Sequence, residues 1–257
     1  MPRFPLRTVS TLLVLSLAAA ACGGAASAKL GAAHRPRADR AAATTTTTTP
    51  AGLPVLGPGQ SVVAYAQVPS VPVFAAPGAP APSTTLASPN QVGAPLVFLA
   101  VDARAGWVRV DLPSRPNGST GWIPRADVKL YESDYRVEVH ESTHLLDLFK
   151  NNQLVSEHPI TVGLPSSPTP KGSFYITELL RSPNPGGAYG PYAFGLSAFS
   201  DVYTEFEGGP GQIAIHGTNQ PWLIGHDGSH GCVRLPDDVV AQLAGFLPVG
   251  SPVTIGE

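Results

Sequence analysis

Short apolar runs separated by prolines and glycines dominate the chain from residue 57 onwards. Many of these runs are rich in β-branched or aromatic residues, which is typical of strands. In the first part of the region they cover residues 61–66, 71–74, 96–101, 106–110 and 121–128. A turn at Asn117-Gly118 separates the last two runs. The pattern predicts a small β domain over residues 57–131.

The same pattern continues through residues 132–257, which we predict to form a second, β-rich domain. Residues 135–139 and 145–149 predict a hairpin, and Asn151-Asn152 predicts the next turn. Further strands are predicted at residues 159–163, 169–176 and 212–215. The last of these is a buried apolar run that delivers His216 to its end.

Two segments of the second half depart from the strand pattern. Residues 184–199 are rich in Gly, Pro and Tyr. They predict a long loop whose aromatic residues, including Tyr192, form a groove wall or a lid over the site. Residues 236–247 carry Val239, Leu243 and Phe246 at helical spacing, so we expect a packing helix there.

The composition supports short strands and turns. The chain holds 27 glycines and 28 prolines, and charged residues make up only 13% of it. We therefore predict a mainly all-β protein with few short helices. The formal net charge of −2 gives no indication of nucleic-acid binding.

The N-terminus predicts export. Arg3 and Arg7 precede an apolar stretch that ends at Ala21 and is too short to span a bilayer comfortably. The small residues before Cys22 resemble a bacterial lipobox, in which the cysteine is lipidated and becomes the mature N-terminus. We expect a signal peptide over 1–21, an anchor at Cys22 and a disordered linker over 22–56, rich in Ala and Thr. Secretion without lipidation is the alternative.

Cysteine and histidine residues gather near the C-terminus. His216-Gly217-Thr218-Asn219 is followed after nine residues by Ser229-His230-Gly231-Cys232-Val233-Arg234-Leu235. If Cys22 is lipidated, Cys232 is a lone thiol in an oxidising compartment. A neighbouring imidazole can take the proton of such a thiol and return it to a leaving group. Gly231 lets the backbone approach a substrate, and the Cys232 N–H is a candidate oxyanion donor.

The two segments resemble the signature of the YkuD-type L,D-transpeptidases, enzymes that cross-link peptidoglycan. The resemblance covers roughly residues 134–257. It implies that Cys232 is the nucleophile, His216 the base and the Gly217 carbonyl the group that orients the imidazole. Ser229, His230 and Arg234 would complete the wall of the site, with His230 giving structural or oxyanion support.

Arg234 stands where other members of the family carry Asn. From its charge and its planar guanidinium we predict that it contacts a substrate carboxylate. The resemblance further implies peptidoglycan stem peptides as partners and no cofactor. Residues 57–131 are similar to bacterial Src-homology-3-like barrels, in which Trp107 and Trp122 would be core residues. The expected location is the outer face of the cytoplasmic membrane or the cell wall, and the sequence gives no oligomeric state.

Three alternatives stay open. His216, His226, His230 and Cys232 are four potential zinc ligands, although their spacing matches no regular module. An acyl-enzyme resolved by water would make the protein an L,D-carboxypeptidase. A non-catalytic wall-binding lipoprotein would need a disabled site, and the intact Cys232 and His216 argue against it.

Overall fold

The computed structural model describes residues 52–257, which form two main β sheets and a single α-helix. The prediction of a mainly β protein is confirmed. The predicted signal peptide, Cys22 and most of the predicted linker lie outside the described residues. Within residues 52–257, no helix combines the length and the hydropathy needed to cross a bilayer.

The first sheet is built from the N-terminal strands. They are β1 (Ser61–Ala66), β2 (Ser70–Val73), β3 (Thr84–Ala87), β4 (Val97–Arg104), β5 (Trp107–Asp111), β6 (Thr120–Pro124) and β7 (Val128–Ser133). Five of them form an antiparallel sheet in the order β6-β5-β4-β1-β7, and β2 and β3 pair as a separate ribbon. Trp122 is buried in this part of the structure, and Trp107 packs edge-on against Phe74. The likeness to Src-homology-3 barrels stays a prediction.

The second sheet contains most of the remaining strands. They are β8 (Tyr135–His140), β9 (Leu145–Lys150), β10 (Gln153–Pro159), β11 (Val162–Gly163), β12 (Gly172–Arg181), β13 (Tyr192–Phe199), β14 (Gln212–His216), β15 (Asp227–Ser229), β16 (Val233–Arg234) and β17 (Pro252–Gly256). Eight strands follow the order β10-β9-β8-β17-β12-β13-β14-β16, and β11 pairs with β15. The helix α1 (Asp237–Ala244) packs on the core through the buried Val240 and Leu243.

The prediction of a long loop over residues 184–199 is wrong for residues 192–199. These residues form β13, which lies between β12 and β14, and its last six residues are buried. A central strand covered on both faces has no polar alternation to identify it. Gly195 is also needed there, because a Cβ at this position would overlap the side chain of Glu178 on the neighbouring strand. The glycine that indicated a loop therefore makes room for a buried carboxylate.

The predicted strand at residues 159–163 is divided in the structure. β10 ends at Pro159, and only Val162 and Gly163 pair again, in parallel with β15. Ile160 and Thr161 between them are fully buried. The break lets the chain leave the edge of the large sheet and run beside the segment that carries Ser229.

The two sheets pack against each other within one compact unit. Tyr175 of β12 is fully buried between Val63 and Val97 of the first sheet, and its hydroxyl donates to the Val97 carbonyl at 3.2 Å. The loop between β5 and β6 adds polar contacts. Asn117 pairs with both backbone groups of Phe199, at 2.7 and 2.9 Å. The N-terminal sheet thus contacts the strand that lies next to β14.

Candidate active site

His216 is fixed at the end of β14 by burial and by one short hydrogen bond. Ile213 and Ile215 of this strand face the core, so the alternating positions 212, 214 and 216 share the opposite face. The imidazole is only 4% exposed. Its Nδ1 lies 2.6 Å from the Gly217 carbonyl oxygen. Since a carbonyl oxygen can only accept, the proton is on Nδ1, and Nε2 keeps a free lone pair.

The position of the Gly217 carbonyl depends on a close approach of two loops. A Cβ on Gly217 would overlap Asp237 Oδ1 and would come within 2.9 Å of the Gly190 Cα. Asp237 Oδ1 in turn accepts the Thr218 N–H at 2.7 Å. The start of α1 therefore holds the segment after β14 in place, and only glycine fits at position 217.

Cys232 precedes β16, the strand that runs parallel to β14. Ile215 pairs with Val233, which brings Cys232 level with Ala214, and the Ala214 backbone lowers the pKa of the thiol. Ala214 and His216 share one face of β14, so the thiol and the imidazole belong to the same corner of the sheet. The arrangement supports the expectation that the segment between them folds back to bring Cys232 beside His216.

The turn before Cys232 is held by Ser229. Its side chain is fully buried, and its hydroxyl donates to the Cys232 carbonyl at 2.5 Å and accepts the Gly231 N–H at 3.0 Å. Gly231 has φ +119°, a left-handed conformation that favours glycine. Both hydroxyl contacts are internal to the turn, so the geometry gives Ser229 a positioning role. The substrate contact predicted for it stays a prediction.

Both reactive groups favour their uncharged forms. Burial lowers the pKa of His216 to about 4, against a partial rise from the Gly217 carbonyl, and the charge of Arg234 lowers it further. Burial raises the pKa of the Cys232 thiol, although the Ala214 hydrogen bond and Arg234 act in the opposite direction. At neutral pH the pair is therefore a thiol beside a neutral imidazole, so a thiolate has to be generated by proton transfer.

Comparison with known proteins shows to which family the chain belongs. The model of the YkuD L,D-transpeptidase catalytic domain matches residues 134–255. The putative L,D-transpeptidase YkuD of Bacillus subtilis is 37% identical over 125 residues, which are 49% of this chain and 68% of the relative. The chain belongs to the YkuD family of L,D-transpeptidases. Both His216 and Cys232 lie inside the matched segment.

The chain is also similar to other proteins. The YkuD protein of Bacillus licheniformis is also 37% identical, over 121 residues that cover 47% of this chain and 65% of the relative, so just under two thirds of its length is spanned. Among solved structures, the catalytic domain of the Enterococcus faecium L,D-transpeptidase is 24% identical. The match covers 48% of this chain and 97% of the Enterococcus faecium domain, with a TM-score of 0.37.

Arg234 lies at the edge of the corner that holds the two reactive groups. Its Nη1 donates to Gln220 Oε1 at 2.8 Å, whereas its Nε is buried and has no hydrogen-bond partner among the described residues. The guanidinium has five N–H donors, and the bond to Gln220 uses one of them. The Nε is buried away from a substrate, so the predicted contact with a substrate carboxylate stays a prediction.

His230 is placed differently from the other predicted residues. It is exposed, and its ring packs 5.3 Å from Phe206 and 6.0 Å from Tyr203, between ring centroids. These aromatic residues belong to the segment between β13 and β14. The contacts favour a structural role at the rim of the site over proton transfer.

The aromatic ring that packs on His216 belongs to Tyr189, for which the sequence predicted no contact with the site. Its ring centroid is 4.8 Å from that of His216, and its hydroxyl donates to Glu207 Oε2 at 2.7 Å. Burial, followed by the bond to Glu207, raises the pKa of Tyr189. The side chain of Tyr192 packs instead against the hydrophobic core, and its carbonyl accepts the Gly217 N–H at 3.3 Å. The substrate contact predicted for Tyr192 is untested, and Tyr189 has the better position.

Glu207, Gln220 and Asp237 were also missed as site residues. Each reaches the site through contacts between separate segments, and a single carboxylate or amide in a loop or at a helix start carries no spacing signal. The zinc alternative receives no support. Within residues 52–257, no three His, Cys, Asp or Glu side chains come together as possible metal ligands, and His226 and His230 are both exposed.

Proposed function

We propose that this protein is a cell-wall L,D-transpeptidase in which Cys232 is the nucleophile and His216 the general base. One observation carries the proposal. His216 Nδ1 is bound to the Gly217 carbonyl, which leaves Nε2 free on the face of β14 to which Cys232 is adjacent. Membership of the YkuD family supports the same reaction class.

In the acylation step the Cys232 Sγ attacks the carbonyl carbon that follows the diamino acid of a tetrapeptide stem. The thiol proton passes to His216 Nε2, and the oxyanion is stabilised by the Cys232 N–H. The intermediate then breaks its bond to the terminal D-alanine, whose amine takes the proton from Nε2. The products are a thioester on Cys232 and free D-alanine.

In the second step an amine of a neighbouring stem attacks the thioester carbonyl. His216 Nε2 accepts a proton from this amine and returns one to the departing Sγ, so that an amide forms and the free thiol is restored. Water in place of the amine would give the carboxypeptidase reaction. Family membership favours the amine.

The test compares the wild type with Cys232→Ala on purified tetrapeptide muropeptides. We expect the wild type to release D-alanine and to form cross-linked dimers, both seen by mass spectrometry. Cys232→Ala should do neither and keep the wild-type unfolding midpoint, because it removes only one buried sulfur atom. Dimer formation by the variant would overturn the nucleophile assignment. D-alanine release without dimers would establish the carboxypeptidase.

We also propose that the protein is exported and anchored at the outer face of the cytoplasmic membrane through a lipidated Cys22. The basic and apolar N-terminus followed by small residues and Cys22 supports this. Two or more acyl chains would give stable membrane binding, whereas one chain binds only marginally. The linker over 22–56 would then carry the catalytic domain towards the wall.

A further inference from the structure

A cavity of about 450 Å³ lies beside the catalytic corner. It is formed on the outer face of β12, β13 and β14, which is the face that also carries His216. Its floor consists of small residues, Ala193, Gly195 and Ala214, and Tyr189 stands at its border. Neither His216 nor Cys232 lines the cavity, but Tyr189 packs on the His216 ring and Ala214 lies level with Cys232 on the neighbouring strand, so the cavity lies next to these two residues.

A single carboxylate lies in this cavity. Glu178 of β12 is 4% exposed, and both of its oxygens accept hydrogen bonds from neutral amides. Gln212 Nε2 donates to Oε1 at 2.9 Å, and Asn90 Nδ2, from the N-terminal part of the structure, donates to Oε2 at 3.1 Å. Gly195 leaves the space that the carboxylate occupies. The side chain is therefore held in one position by three different segments.

The carboxylate has no positive partner. Within residues 52–257, no lysine, arginine or histidine forms an ion pair with Glu178. Arg181 borders the same cavity but is exposed. A buried carboxylate is normally paired with a cation, since desolvation of an isolated charge is costly. The two amides orient this carboxyl group but supply no positive charge, so a ligand cation that enters the cavity would be its first charged partner.

The strand register places Glu178 at a defined distance from the nucleophile. Glu178 pairs with Gly195, and Gly195 pairs with Ala214, so the three lie in one row across β12, β13 and β14. With neighbouring strands about 4.8 Å apart, the Cα atoms of Glu178 and Ala214 are separated by roughly 10 Å, and Cys232, level with Ala214 on the next strand, is roughly 14 Å from Glu178. The small residues between them leave an apolar trench. A flexible side chain of several methylene groups with a terminal amine fits such a trench.

We propose that Glu178 is a specificity-determining residue that binds a primary ammonium group of the stem peptide in this cavity. The inference rests on the proposed function, and it names the group that the site recognises beyond the bond that is cleaved. The ammonium belongs to the side chain of the donor stem, because the acceptor amine has to reach the thioester on Cys232 with its lone pair free. The experiment tests the donor and the acceptor separately.

The variant is Glu178→Gln, which keeps the shape of the side chain and removes its charge. The control is Glu157→Gln, an equal loss of charge at an exposed position of β10 in the same sheet. Donor tetrapeptides are compared with the side-chain amine free or acetylated, and D-alanine release is followed without an acceptor. Acylation of Cys232 by a penem that lacks a basic side chain is measured by intact mass, because this reaction needs no ammonium group at Glu178.

If the donor supplies the ammonium, Glu178→Gln raises the KM for the free-amine donor by about 10- to 100-fold, as for loss of a buried charge partner. The acetylated donor is a poor substrate for the wild type, and the variant leaves its KM unchanged. A rise confined to the acceptor KM in dimer formation would overturn the assignment, because Glu178 would then hold the amine that has to attack the thioester. The rate of penem acylation by Glu178→Gln stays within about two-fold of the wild type, and Glu157→Gln behaves like the wild type in every arm.

Two further results would overturn the assignment. If the wild type is active and Glu178→Gln changes neither the donor KM nor the acceptor KM, Glu178 binds no substrate cation. If free-amine and acetylated donors lose activity equally in the variant, its role is structural. These results differ from failure of the proposed function, in which the wild type itself releases no D-alanine from any stem peptide; that result would remove both proposals together.

Discussion

His216 should make the protein less stable in acid, by an amount that follows from its burial. Its pKa is about 4 in the folded protein and 6.5 ordinarily. The unfolded chain therefore binds more protons between these two values, and the free energy of unfolding falls as the pH falls through that window. Above pH 6.5 the stability is fully present. The two pKa values differ by about 2.5 pH units, which at 1.36 kcal/mol per unit is a loss of about 3 kcal/mol near pH 4.

The assay measures denaturant unfolding of the wild type and of His216→Asn at pH 7, 6, 5 and 4. Asparagine keeps an N–H for the Gly217 carbonyl but does not titrate, and acidic residues elsewhere affect both proteins alike. We expect the wild-type advantage over the variant to shrink by about 3 kcal/mol from pH 7 to pH 4. The acid limb of penem acylation by the wild type should correspondingly lie well below pH 6.5. Parallel stability curves together with an acid limb near pH 6.5 would refute the reasoning, because His216 would then titrate as a solvated group.

Two further predictions concern the N-terminal part of the chain. Arg115 donates to the carbonyls of Ser200, Tyr203 and Pro210 at 2.8, 2.7 and 3.0 Å, in the segment that packs on His230. Arg115→Ala should lower the unfolding free energy by about 1–2 kcal/mol and slow penem acylation several-fold. The control is Arg109→Ala, because among the described residues the Arg109 guanidinium bonds only to the neighbouring Thr120. An equal effect of the two substitutions would show that the loss of charge, and not the contacts of Arg115, is responsible. Cys22→Ala should move the protein from the membrane to the soluble fraction, and equal membrane retention would place the anchor elsewhere.

Local pattern was enough to predict much of the fold and the core of the candidate site. The hairpin strands β8 and β9 and the strand β14 have the bounds that alternation indicated to within about a residue, and the helix after Pro236 is present. The Gly217 carbonyl accepts a hydrogen bond from the His216 imidazole, as the resemblance implied. These features depend on residues close together in sequence, or on a motif of fixed spacing.

The features that were missed depend on strand order. β13 resembles a loop in sequence because its glycine and aromatic residues are explained only by the strands on either side. Glu178 carries no signal in the sequence, because a carboxylate among Thr, Leu and Arg is typical of the solvated face of a strand. Only the pairing with Gly195 and the hydrogen bond from Gln212 show that it is buried in a row with Ala214. The choice between Tyr189 and Tyr192 likewise depends on where β13 begins.

The packing of the two sheets has a practical consequence for inhibitor discovery. The family match begins at residue 134, so an enzyme shortened to that point is the obvious reagent for screening. Such a protein would lack Asn90, which holds one oxygen of Glu178, and Val92, which closes one wall of the cavity. It would also expose Tyr175 and leave its hydroxyl without the Val97 carbonyl. Compounds selected on the shortened enzyme would be fitted to a cavity with a missing wall, so screening should use a protein that retains residues 52–133.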